Sequence, residues 1–223
     1  MFDYRRITLF AGHYGSGKTN IAVNWAAMLR RSEDKVMLAD MDIVNPYYRA
    51  KDSKERMDAL GIKLISSFFA NSNVDLPSIP QEMYAIVDDR TWHPVLDIGG
   101  DDRGALALGR YAPKILEEND YEMLFVINRF RPLTRDAACT MDVLREIEAA
   151  CRIPFTAIVN NSNLGAETAP EDVLGSLSYA EDVSALSGLP IKMTTVSESL
   201  YPELSGRIPD LFPLELQRRP TEL

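Results

Sequence analysis

The octapeptide Gly12-His13-Tyr14-Gly15-Ser16-Gly17-Lys18-Thr19 constrains this chain more than any other stretch. It fits the spacing G-x-x-x-x-G-K-[ST] and has the flanks that spacing requires. Residues 6–11 before it are apolar and β-leaning. Residues 18–31 after it have helical periodicity, with Ile21, Val23, Trp25, Met28 and Leu29 as apolar positions. Each residue type has a physical reason. Glycines let a backbone wrap closely round phosphate oxygens, with its N–H groups turned inward. The helix beginning near Lys18 points the positive end of its dipole at the same place. Lys18 is placed to reach β- and γ-phosphates, and Thr19 to offer a hydroxyl to Mg²⁺. The octapeptide therefore predicts a strand, a loop and a helix that together bind a nucleoside triphosphate with magnesium.

The rest of the chain repeats the alternation of short apolar strands and longer helical patterns. Residues 35–40, 62–66, 94–97, 122–128, 154–160 and 190–194 read as strands. Residues 53–60, stopped by Gly61, and 81–89, 104–118, 134–151 and 169–187 read as helices. Pro113 either kinks its helix or marks its start, and Thr134 or the residues just before it cap the helix that follows. Residues 71–80 are loop-like. From Tyr201 the chain reads as a surface-wrapping tail; four prolines from Pro202 onward rule out one long helix there. The pattern predicts a single α/β domain over residues 1–223, a P-loop nucleoside triphosphate-binding fold with a mostly parallel sheet and helices on both faces. In such sheets ligands sit beyond the carboxyl ends of the strands.

Three further strand ends carry chemistry. Asp40 and Asp42 follow the second strand in Asp40-Met41-Asp42-Ile43-Val44-Asn45-Pro46. Acids beside a phosphate site can hold magnesium through water or orient an attacking water. Asp97-Ile98-Gly99-Gly100 ends another strand. There a carboxylate can join the metal's water shell, and glycines let a backbone N–H approach the γ-phosphate and move when it leaves. Asn160 and Asn161 end a third. A side-chain amide has both donor and acceptor, so it can read a purine edge. No N-K-x-D sequence of the guanine-binding kind occurs, which favours ATP over GTP.

Composition excludes several functions. The formal net charge is −9, which counts against a protein whose main task is gripping nucleic acid or an anionic membrane. No apolar run reaches the length of a membrane span, and residues 1–6 lack the features of a signal peptide, so a cytoplasmic location is expected. The two cysteines, Cys139 and Cys151, have no metal-ligand spacing. With only His13 and His93 besides, a histidine metal centre is not expected.

The P-loop, Asp40-x-Asp42 with Asn45-Pro46, Asp97-x-Gly99-Gly100 and the late Asn160 together resemble the MinD/ParA-like P-loop ATPases, over roughly residues 6–195. The resemblance implies Mg·ATP and a homodimer that encloses nucleotide between subunits. It implies that Lys18 and Thr19 serve phosphate and metal, that Asp42 positions the hydrolytic water, that Asp40 and Asp97 are metal-shell acids, and that Asn160 reads adenine. One position departs. Typical MinD and ParA proteins have a second lysine where this chain has His13, and an ordinary histidine is mostly neutral at pH 7. Arg49, Arg103 and Arg129 are the candidates for a substitute. Three functions follow: a slow ATPase switch read by a partner protein, a ligase or kinase of the dethiobiotin-synthetase-like kind with a pocket lined by Tyr14, Tyr47, Tyr48 and Arg49, or a nucleotide-binding module without useful catalysis.

Overall fold

The computed structural model describes residues 2–41, 52–66, 84–99 and 108–216. Its eight strands are β1 (Ile7–Ala11), β2 (Val36–Asp40), β3 (Lys63–Ser66), β4 (His93–Asp97), β5 (Tyr121–Ile127), β6 (Ala157–Asn160), β7 (Ile191–Ser197) and β8 (Leu211–Leu214). They form one sheet in the order β3-β2-β4-β1-β5-β6-β7-β8. Every strand pairing in it is parallel. The described helices are α1 (Lys18–Leu29), α2 (Asp52–Leu60), α3 (Ala85–Asp88), α4 (Ala112–Glu118), α5 (Ala137–Cys151), α6 (Pro170–Gly175), α7 (Leu177–Ser187) and α8 (Tyr201–Leu204).

Strand alternation divides the apolar side chains between two cores. Ile7, Leu9 and Ala11 of β1, Met37 and Ala39 of β2, and Met123, Phe125 and Ile127 of β5 point to one face, where α4, α5 and α7 cover them. Phe10, Val36, Leu38, Leu124 and Val126 point to the other, under α1 and Met57 of α2. Helix α1 is buried almost all round, from Ile21 to Leu29. Trp25 lies between Phe2, Phe10 and Phe212.

Several boundaries differ from the sequence reading. The α5 cap is Asp136, whose side chain accepts the Cys139 N–H at 2.9 Å; Thr134 instead closes a short 3₁₀ turn and donates to the Asn128 carbonyl at 2.6 Å. Pro113 starts α4 and does not kink it. The stretch 169–187 splits at Ser176, whose hydroxyl turns back to the Val173 carbonyl. Residues 154–156 precede β6 and are not part of it. The tail holds a strand: β8 pairs with β7, and Phe212 and Leu214 enter the α1 core. Pro213 is tolerated because β8 is the edge of the sheet. Of the stretches 71–80 and 81–89, the structure describes residues 84–89 alone.

Candidate nucleotide site

The flanks of β1 locate the site. β4 and β5 are consecutive strands, yet they lie on opposite sides of β1. That reversal of strand order makes the carboxyl end of β1 the place where a parallel sheet of this type holds its ligand. Residues 12–19 leave β1 at that point and run into α1.

Glycine is needed here for two different reasons. At Gly12 a Cβ would collide with the carbonyl oxygen of Val126, so the loop can leave the sheet only with no side chain there. Gly17 is the α1 N-cap in the left-handed conformation, φ 90°, and a Cβ would strike the Asn161 amide. The cap residue has no side chain to engage the first N–H groups of α1, and no acid stands in its first turn. That leaves a helix N-terminus fit for an anion. Lys18 is 5% exposed, and its ammonium donates to the His13 carbonyl at 3.2 Å, folded back along the loop. Ser16 Oγ is fully buried and has no hydrogen-bond partner among the described residues. His13 Nδ1 lies 2.9 Å from the Tyr14 carbonyl, and Tyr14 is 58% exposed.

The metal-site candidates converge. Asp40 and Asp97 are register partners on adjacent strands, and both project toward the α1 face. The Thr19 hydroxyl donates to Asp97 Oδ2 at 2.5 Å. An alcohol beside carboxylates is an oxygen set suited to Mg²⁺, which also keeps water and phosphate ligands. Among the described residues no three His, Cys, Asp or Glu converge on one point. The donors present would thus complete a magnesium site only together with phosphate oxygens. The glycine cradle and the buried Ser16 hydroxyl fit a phosphate chain. Gly99 follows Asp97 and Ile98 just past the carboxyl end of β4. Asp42, Asn45, Pro46, Tyr47, Tyr48, Arg49, Gly100 and Arg103 lie outside the described residues.

The two asparagines have opposite fates. Asn160 points to the α7 face, fully buried. Its Nδ2 donates to Ser176 Oγ at 2.9 Å, and its Oδ1 accepts the Ser162 hydroxyl at 2.7 Å. That amide is engaged on the face of the sheet opposite α1. One residue on, alternation turns Asn161 toward the loop. Its Nδ2 donates to the Ser16 carbonyl at 2.6 Å, and its Oδ1 accepts the Thr195 hydroxyl at 2.6 Å. Asn161, Asn163, Thr168, Thr195 and Val196 line a small recess beside it. The signal was present in the sequence: Ala157 and Val159 share the α1 face, so the next residue on that face is Asn161.

The arginines also sort themselves. Arg129 turns away, donating to the Gly175 carbonyl at 2.5 Å. Arg131, which sequence reading passed over, donates from Nε to the Gly15 carbonyl at 2.8 Å. No sequence signal predicts this contact, because it spans 116 residues between separate loops.

Residues 7–191 match the CobQ/CobB/MinD/ParA nucleotide-binding domain. The chain belongs to that family. A search of curated protein sequences returned no match. Among solved structures, this CobQ/CobB/MinD/ParA domain is similar to FtsY from Mycoplasma mycoides, with TM-score 0.51 and 17% identity over 88% of this chain and 62% of that one. It is similar to the Signal Recognition Particle 54 kDa protein from Aeropyrum pernix K1 in complex with GDP, with TM-score 0.52 and 20% identity over 86% of this chain and 41% of that one. It is also similar to FlhF complexed with GTP/Mg²⁺, with TM-score 0.54 and 14% identity over 88% and 67%. At these identities the likeness is one of fold. The chain spans 62% to 63% of the length of the Mycoplasma mycoides and Thermotoga maritima FtsY chains.

Proposed function

We propose that this CobQ/CobB/MinD/ParA-family chain is a Mg·ATP-binding switch that hydrolyses ATP slowly and whose nucleotide state is read by a partner protein. The observation that carries the reading is the Thr19–Asp97 hydrogen bond. It ties the hydroxyl of the phosphate loop to the end of β4, the strand that leads into Gly99 and Gly100. A change at the phosphates can therefore be passed to that segment.

In this reading the backbone of residues 12–17 and Lys18 hold the β- and γ-phosphates. Thr19, Asp40 and Asp97 hold magnesium, directly or through its water. When bound, that ion would neutralise charge developing on the phosphates. Asp42 orients the attacking water, and Gly99 and Gly100 contact the γ-phosphate. Base recognition falls on the loop side of β6, where Asn161 lines the recess while its amide braces the loop at Ser16. A homodimer enclosing the nucleotide would suit such a switch. The similar structures include one with GDP and one with GTP/Mg²⁺, so both triphosphates belong in the test.

That test is a calorimetric titration of Mg·ATP and Mg·GTP, with phosphate release measured on wild type and Lys18→Ala. Binding of ATP with slow release of free phosphate, both lost in Lys18→Ala, is expected. A wild type that binds neither nucleotide would defeat the proposal. The exposure of Tyr14 beside the loop favours one second reading, a ligase or kinase of the dethiobiotin-synthetase-like kind with a small substrate against that ring. Phosphate transferred to a metabolite, with none released in its absence, would select it.

A further inference from the structure

The phosphate loop is gripped from outside as well as from within. Lys18 bonds the loop internally, at the His13 carbonyl. Arg131 bonds it externally, at the Gly15 carbonyl. The guanidinium carbon lies 3.8 Å from where a Cβ of Gly15 would stand, so its charge rests directly on the loop.

The backbone that carries Arg131 is firmly held. Its own N–H donates to the Asn128 carbonyl at 3.1 Å, and the Thr134 N–H donates to its carbonyl at 3.1 Å. Pro132 follows and limits the backbone on that side. Asn128, fully buried, fixes the turn further: its Oδ1 accepts the Phe130 and Asn163 N–H groups at 3.0 and 3.3 Å. Its Nδ2 reaches the Asn163 carbonyl at 3.2 Å. The Arg131 position is thus set before any ligand arrives.

The sequence has 33 acids, but among the described residues none forms an ion pair with Arg131. Only Nε is engaged there, which leaves two guanidinium nitrogens to bond an anion. A carbonyl acceptor anchors this cation without neutralising it.

We propose that Arg131 is a second cation of the phosphate site, supplied by the same chain, which braces the loop at Gly15 and raises its affinity for nucleoside di- and triphosphates. This rests on the nucleotide reading above. It makes nucleotide capture by one chain independent of a cation from a second subunit.

The experiment titrates Mg·ATP and Mg·ADP into wild type, Arg131→Gln and Arg131→Lys at low and high salt, with melting temperatures recorded as a check on folding. Arg131→Gln should weaken both nucleotides about tenfold at low salt, and the gap should narrow as salt screens the charge. Arg131→Lys should recover most of the loss because it keeps the charge. Wild-type affinity in Arg131→Gln would overturn the proposal. So would an Arg131→Lys as weak as Arg131→Gln, since the side chain would then serve by shape and not by charge. A wild type that binds no nucleotide would defeat the nucleotide reading itself, a separate result from either of these.

Discussion

At the scale of single residues, the site depends on close approaches that allow no side chain and on amides with one orientation. Gly12 is the clearest case. A Cβ there meets a main-chain oxygen of β5, which cannot rotate aside as a side chain would. Gly12→Ala should therefore cost about 1–3 kcal/mol of stability, read as a lowered thermal midpoint with or without nucleotide. Asn161 makes the opposite demand. Asn161→Ala would remove the Nδ2 donor from the Ser16 carbonyl and leave the Thr195 hydroxyl only its long 3.5 Å bond to the Asn160 carbonyl, both groups being buried. About 1–3 kcal/mol of stability should be lost, and discrimination between ATP and GTP should weaken in competition binding. Asn160→Ala should also destabilise, through Ser176 and Ser162, but should leave that discrimination intact. Equal effects of the two variants on base preference would refute the assignment. Both asparagines were legible as candidates in the sequence. Choosing between them needed the strand's facing, because a shift of one residue moves a side chain to the opposite side of a sheet.

At the scale of elements, the hydrophobic periods located strands and helices well, and local polar chemistry decided their ends. The α5 start shows why. Thr134 and Asp136 both suit a helix N-terminus, and the structure uses Asp136 because Thr134 is occupied by the Asn128 carbonyl. Asp136→Ala should lower the urea midpoint, through loss of the α5 cap. Thr134→Val should act on the 128–134 turn, and so on Arg131, more than on α5. β8 was hidden for a different reason. Its sequence, with a proline in four residues, reads as tail. Its strand character comes from the exposed edge of β7 and from the α1 core that receives Phe212 and Leu214. Asn24 of α1 holds that edge in place by bonding both the N–H and the carbonyl of Glu215 at 3.1 Å.

At the scale of the molecule, the two ends of the sheet have different chemistry. The carboxyl ends of the strands hold the residues proposed for the nucleotide site. The amino ends are closed by charged and polar bonds: Arg6 with Glu118, and a chain from Trp25 through Thr8 to Glu122 and Lys192. Burial raises the Glu122 carboxyl above its ordinary 4.5, although Lys192 and the Thr8 hydroxyl pull it down. For a group raised in this way, its stabilisation is full below the unfolded value and is lost as pH rises through the folded one. Removing Lys192 should raise the carboxyl further. Lys192→Met should therefore lose more stability at pH 7 than at pH 5, relative to wild type, in urea midpoints. A pH-independent loss would mean that the ammonium contributes packing over Trp25 and not charge.

Local sequence is enough to place the loop, the helix behind it, the parallel α/β architecture and the acids at the strand ends. Each of these rests on near-neighbour spacing: the glycine and lysine positions, the alternation of strands, and the period of helices. Three features follow from the folded chain alone: which asparagine faces the loop, the closing of the sheet by the tail, and the contact of Arg131 with Gly15. Those depend on which side of the sheet a residue falls and on segments more than a hundred positions apart being brought into contact. No local pattern encodes such contacts, because burial and hydrogen bonding across the sheet choose them.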